Sequence, residues 1–158
     1  MSTHNKVIFL DFDGVIRLST TTPSPKAFEF VPSKIQLIKK LCYLTDAQVV
    51  VSSSWREIYT LDRMRLEMFN ILEACDFHEY WMTPILRSHT KNDDKLIPRG
   101  AEISTWLYNH TDVTNYVILD DLPSSDFNDH ISHFVSCNAA TGITDTEIAE
   151  AKQILTSS

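Results

Sequence analysis

Only three glycines occur in the 158 residues, Gly14, Gly100 and Gly142, and they stand far apart. A glycine-rich loop that cradles nucleotide phosphates is therefore missing, which argues against an ATP-dependent kinase. Cysteine is equally sparse. Cys42, Cys75 and Cys137 are odd in number and form no CxxC pair, so neither a disulfide framework nor a zinc knuckle is indicated, and buried thiols are expected. Positive charge is in deficit, the formal net charge being -7, and this leaves only local basic patches to attract nucleic acid. No apolar run approaches the length that spans a membrane, and residues 1–5 lack the charged and apolar segments of a secretion signal. A cytoplasmic protein without membrane attachment is the expectation.

What is present suits a folded domain. Hydrophobic residues make up 43% and charged residues 22%, ordinary values for a globular chain, and the length is too short for two domains of usual size. A single domain over 1–158 is expected. Residues 6–10 (KVIFL) form a β-branched and aromatic run that stops at Asp11-Phe12-Asp13-Gly14, as a buried strand stops at a sheet edge. A helix is expected over 33–45, where Ser33 and Gln36 make a capping-box pattern after Pro32 and Ile35, Ile38, Leu41 and Cys42 recur at helical spacing. Strand, polar turn and helix return at 48–51, which ends in Ser52-Ser53-Ser54, with Ser54 and Glu57 placed to cap a helix through 56–73. From 75 to 98 the pattern is mixed, with a short strand expected at 81–83 and a loop at 89–95. Ile103, Trp106 and Leu107 share one face of a helix over 100–108, and 115–119 is a third apolar strand ending at Asp120-Asp121. A last strand at 133–136 precedes a helix over 145–155, which Thr144 and Glu147 would cap.

Strands that alternate with helices imply right-handed crossovers and a largely parallel sheet with helices on both faces. Ligands in such α/β folds bind beyond the carboxyl ends of the strands. That rule gathers Asp11, Asp13, Ser52, Asp120 and Asp121 at one edge. Converging carboxylates repel one another, by about 4 kcal/mol for two charges ~4 Å apart at an effective dielectric near 20. A hard divalent cation offsets this, and magnesium prefers one or two carboxylates with water and phosphate oxygens completing its shell. Metal, acids and a phosphorylated substrate therefore explain one another. A carboxylate can attack phosphorus and form an acyl phosphate that water then cleaves, dividing one hard step into two. Asp13 lies two residues beyond Asp11, so in an extended chain both side chains point to one side, and Asp13 is placed to protonate the leaving oxygen and then activate water. Ser52 ends its strand where a helix begins, and its hydroxyl is placed for phosphate oxygens. Arg99 or Lys95 would supply the fixed positive charge.

With these residues in order, the chain resembles the haloacid dehalogenase (HAD) superfamily. The first motif is Asp11-Phe12-Asp13-Gly14-Val15, the second Ser52 after Val49-Val50-Val51, the third Arg99, and the fourth Asp120-Asp121 after Val117-Ile118-Leu119. The resemblance implies a Rossmann-like three-layer α/β core and an aspartyl-phosphate intermediate on Asp11. It also implies magnesium held by the Asp11 carboxylate, the Asp13 backbone carbonyl and an acid of the fourth motif. Asp121 is assigned to that role, with Asp120 or Asp126 in support. Ser53-Ser54-Trp55-Arg56, Arg99-Gly100-Ala101-Glu102-Ile103 and the stretch 116–121 are similar to a small group of HAD domains, some of them found in RNA-repair proteins. There is no room for a large cap domain, so an open site is expected that admits a nucleic-acid end, a protein phosphosite, or a small molecule if an oligomeric neighbour closes it.

Ser53, Arg56 and Lys95 are the candidate substrate contacts, although Ser53 also reads as a helix cap and Arg56 as half of a surface ion pair. Arg87, Lys91, Lys95 and Arg99 form a local basic stretch that Asp93 and Asp94 dilute. His130 and His133 have an HxxH look but no matching ligands nearby, and a core or surface role is expected. The expected activity is a magnesium-dependent phosphomonoester hydrolase. A polynucleotide-end (3′) phosphatase or nucleotidase, or a phosphate-binding module without turnover, are the alternatives. Intact Asp11 and Asp13 count against the last.

Overall fold

The computed structural model describes residues 5–18, 30–53, 56, 60, 62, 77–86 and 97–157. Five strands build its centre: β1 (Lys6–Leu10), β2 (Gln48–Val51), β3 (Phe77–Met82), β4 (Asn115–Asp120) and β5 (Phe134–Ser136). They form one parallel sheet in the order β3-β2-β1-β4-β5. The strands therefore run outward from β1 in one direction and then, after β3, in the other. The reversal falls between β1 and β4, the place where such sheets open a ligand crevice.

The central strands are apolar between their polar end residues, at 7–10, 49–51 and 116–119, because both faces of the sheet are covered. Ile8, Leu10, Val49, Val51, Val117 and Leu119 pack on one face against helix α1 (Pro32–Thr45) and helix α3 (Asp145–Thr156). Val7, Phe9, Val50 and Ile118 face the other way, toward Ile103 and Trp106 of helix α2 (Arg99–Tyr108) and toward Phe127. Phe127 lies in a 3-10 stretch, Ser124–His133, that is broken by non-helical backbone at Phe127 and His130. The result is a Rossmann-like three-layer α/β sandwich, and among the described residues no cap domain stands over it. No helix among those residues is long and apolar enough to cross a membrane.

Three local expectations are corrected. Helix α1 begins at Pro32, with Val31 as its N-cap and no side-chain cap, so Ser33 and Gln36 make no capping box. Proline at the first helical position has no N–H to leave unpaired and a φ already suited to the helix, which moves the start ahead of Ser33. Strand β3 is longer than the 81–83 expected; it pairs only with β2 among the described residues and exposes Glu79 and Tyr80, so it lacks the unbroken apolar run that marked its neighbours. The last strand starts at Phe134, because His133 still closes the 3-10 stretch. Helix α3 does use its cap: Thr144 Oγ1 accepts from the Thr146 N–H and donates to the Glu147 carboxylate. The Ser54–Glu57 cap, nearly all of the 56–73 helix and Cys75 lie outside the described residues.

Candidate active site

Register places the site. Leu10 pairs with Val51 on one side and with Leu119 on the other, so the next residues of the three strands, Asp11, Ser52 and Asp120, emerge side by side. The Asp11 N–H bonds the Leu119 carbonyl at 3.0 Å and the Ser52 N–H bonds the Leu10 carbonyl at 2.9 Å, which holds both residues to the sheet after pairing ends. Asp11, Asp120 and Ser52 are all buried.

Oxygens of Asp11, Asp120 and Asp121 lie within 4.8 Å of one another. Between them reaches Arg99, the first residue of α2, whose Nη1 is 2.8 Å from Asp120 Oδ2 and 3.4 Å from Asp11 Oδ1. Asp120 Oδ1 accepts from the Leu122 N–H at 3.0 Å. Both oxygens of Asp120 are thereby engaged by the protein, whereas Asp121 is half-buried at the open side of the cluster. Burial, reinforced by the Asp120 charge, pushes the Asp11 carboxyl well above the usual carboxylate range, with Arg99 pulling against it. Burial also raises Asp120, again against the pull of Arg99. Burial lowers the Arg99 guanidinium, but Asp120 and Asp11 outweigh it and hold it above its ordinary value. Among the described residues, three carboxylates against one guanidinium leave a surplus of negative charge in a nearly dry site, and oxygen-only donors of this kind match a hard divalent cation.

Gly14 makes room for this arrangement. Its φ is +83°, and a Cβ built there would lie 2.6 Å from Asp121 Cγ. Gly14→Ala is therefore expected to lower the melting temperature by several degrees, from the left-handed backbone alone about 1–2 kcal/mol, and to weaken magnesium binding about tenfold by displacing Asp121. Calorimetry returning wild-type magnesium affinity for this variant would contradict that.

Not every candidate joins the cluster. Asp13 was expected on the same side as Asp11, but the chain curls into a turn in which the Phe12 carbonyl accepts from the N–H groups of Ile16 and Arg17, and the extended alternation is lost. The Asp13 carboxylate instead pairs with Arg17 Nη1 at 2.7 Å, with half of its side chain exposed. Arg56, expected to touch substrate, is buried with its guanidinium bound to Ser53, Thr83, Pro84 and Glu102. Ser53 is buried and offers its carbonyl to Arg56. Asp126 lies in the 3-10 stretch and is not part of the three-acid cluster. Lys95, Ser54 and most of the local basic stretch lie outside the described residues. His130 is buried, its Nδ1 2.7 Å from the Tyr116 hydroxyl and its Nε2 within reach of Ser104 Oγ and the Gly100 carbonyl, while His133 stacks on Tyr116; both are away from the cluster. Cys137 sits behind Asp120, but burial pushes its thiol up and removes it as a nucleophile near neutral pH.

Sequence reasoning passed over Arg17, whose one signal was its position four residues after Asp13, and it quoted Glu102 within the 99–103 stretch without giving it a role.

A family described as a HAD domain in Swiss Army Knife RNA repair proteins matches residues 7–148, nearly the whole chain and every residue of the cluster. The chain belongs to this family. No curated protein and no solved structure gives a significant match. The HAD domain is thus defined by its family and by the residues just described. Its order of strands, with acids at the ends of β1 and β4 and a serine after β2, puts these residues on three neighbouring strand ends.

Proposed function

We propose that this HAD domain, a single unit over 1–158, is a magnesium-dependent phosphomonoester hydrolase with Asp11 as nucleophile. The observation that carries this reading is the Asp11 carboxylate itself: buried at the carboxyl end of the central strand, 3.4 Å from the Arg99 guanidinium and within ligand distance of Asp120 and Asp121. Asp11 and Asp121, with the Asp13 backbone carbonyl, would hold magnesium, while Asp120 keeps Arg99 in place. When bound, the metal would supply positive charge for the carboxylates and the phosphoryl oxygens.

The side chains then divide the work. An Asp11 oxygen forms a bond to phosphorus as the ester P–O bond breaks, and the leaving oxygen takes a proton from Asp13. Water, deprotonated by Asp13, next attacks phosphorus and releases phosphate and the Asp11 carboxylate. Asp13 reaches the leaving group by turning away from Arg17, which its exposed side chain leaves room for. The Ser52 hydroxyl and Arg99 Nε, buried polar atoms without a hydrogen-bond partner among the described residues, offer donors for the phosphoryl oxygens. Arg99 is favoured over Lys95 for the fixed charge by its contact with Asp11.

The family description favours one class of substrate, a phosphorylated nucleic-acid end. A panel of aryl phosphate, sugar phosphates, nucleotides, phosphopeptides and 3′-phosphorylated oligonucleotides tests both levels of the proposal. Magnesium-dependent phosphate release is expected from the aryl phosphate, and highest kcat/KM from the oligonucleotide. No release from any member in magnesium would refute hydrolysis; a preference for sugar phosphates would refute only the nucleic-acid end.

A further inference from the structure

Arg56 and Glu102 form an ion pair from which water is excluded, their side chains being 1% and 0% exposed and Nη2 lying 3.0 Å from Oε1. The rest of the pair is bound mainly to backbone. Arg56 Nε donates to the Ser53 carbonyl at 2.6 Å, and Nη1 donates to the Thr83 and Pro84 carbonyls at 3.1 Å each and to the Thr83 hydroxyl. The second oxygen of Glu102 accepts from the Leu86 N–H at 2.9 Å. Three segments at the carboxyl edge of the sheet are thus tied together: the turn after β2, the chain after β3 and the first turn of α2.

Two of these segments carry the open donors of the site. Ser53 follows Ser52, and Glu102 stands one helical turn after Arg99. Ser52 Oγ and Arg99 Nε are the two buried side-chain polar atoms without a hydrogen-bond partner among the described residues. A buried ion pair is a poor source of stability, because desolvation offsets its attraction and apolar residues of like volume often serve as well. Its directional bonds are better suited to holding groups at a set separation. We propose that Arg56 and Glu102 are positioning residues for phosphoryl recognition: the pair sets the separation of the Ser52 hydroxyl and the Arg99 guanidinium so that both reach one phosphoryl group, and neither partner touches substrate. The role rests on the phosphohydrolase reading for what Ser52 and Arg99 grip.

Three variants test it: Arg56→Lys, Glu102→Gln, and the double replacement Arg56→Met with Glu102→Leu. Each is measured for melting temperature, for kcat and KM on an aryl phosphate, and for calorimetric binding of inorganic phosphate in magnesium. The single variants leave a buried charge with an imperfect partner, and their melting temperatures should fall. The double variant removes both charges but takes those partners from the Leu86 N–H and the Ser53, Thr83 and Pro84 carbonyls, so its melting temperature should fall too, and every variant is assayed well below its own. If the pair positions the donors, kcat and phosphate affinity in the folded double variant stay at least about tenfold below wild type, as a small misplacement of binding groups entails. Wild-type kcat and phosphate affinity in the folded double variant would reduce the pair to a fold-stabilising contact and overturn the proposal. Should the double variant not fold, Arg56→Lys decides, measured below its melting temperature: a tenfold loss of kcat and phosphate affinity supports positioning, and wild-type values overturn it. A wild-type protein that binds phosphate without turnover sinks the hydrolase reading alone, and the pair is then judged on phosphate affinity. One that does neither removes both.

Discussion

Asp11→Asn should reduce magnesium-dependent hydrolysis of an aryl phosphate by at least about a thousandfold, the scale of loss when a nucleophile is removed, and should at the same time raise the melting temperature of the metal-free protein. The two effects have one cause. Asp11 is held in a dry site among like charges, and its carboxyl is pushed well above the usual range by burial first and by Asp120 second. At neutral pH the folded protein must either protonate the group or tolerate the repulsion, and an amide of the same shape does neither. Arg99 keeps its 2.8 Å contact with Asp120 in the variant, so the cation is not orphaned. Phosphate release, thermal melting and circular dichroism on the same preparation check the prediction. Turnover within tenfold of wild type would remove Asp11 from the chemistry; lost turnover with a lowered melting temperature would mean that the carboxylate stabilises the metal-free fold, against the electrostatics described.

Magnesium should raise the melting temperature, and more so at pH 8 than at pH 5. For a group whose folded pKa lies above its unfolded value, stability is fully present at pH below the unfolded pKa and is lost as pH rises through the folded one. Asp11 and Asp120 are both raised, so the metal-free protein should weaken as pH climbs out of the ordinary carboxylate range. A divalent cation reverses this, because it binds the ionised carboxylates and does not compete with their protons at high pH. At a concentration one hundred times its Kd, the ion contributes about 2.7 kcal/mol, or roughly 5–10 °C for a protein of this size. Thermal melts with magnesium and with EDTA at the two pH values provide the check. A shift that is absent, or larger at pH 5, would argue against a cation held by these acids.

The parts of the fold that were legible in the chain are those where burial leaves a simple mark. The core of β1, β2 and β4 reads as unbroken apolar runs because helices cover both faces of the sheet, and each run halts at a polar residue on the edge. That halt also exposed Asp11, Ser52, Asp120 and Asp121 to inspection, since a carboxylate immediately after a buried strand has few structural reasons to be there. Strand β3 was only partly visible because its outward residues are polar, and the 3-10 stretch at Ser124–His133 has no period to detect. The partner of Asp13 was not legible, because the turn that starts at Phe12 brings Arg17, four residues on, against its carboxylate. Arg56 was misjudged in partner: nothing local in the chain links it to Glu102, 46 residues away, and only the folded sheet edge brings them together.

The register that lines up residues 11, 52 and 120 has a consequence for how this protein comes to work. Asp11, the Ser52 hydroxyl, the Arg99 cation and the Asp120-Asp121 pair arise from four separate stretches of the chain, the last of them three-quarters of the way along. A nascent chain or a fragment that ends before α2 would possess Asp11 and Ser52, yet neither the counter-charge nor the remaining carboxylates. Competence should therefore appear in one step with completion of the sheet, and complementary halves of the molecule should be inert apart and active only when they reassociate.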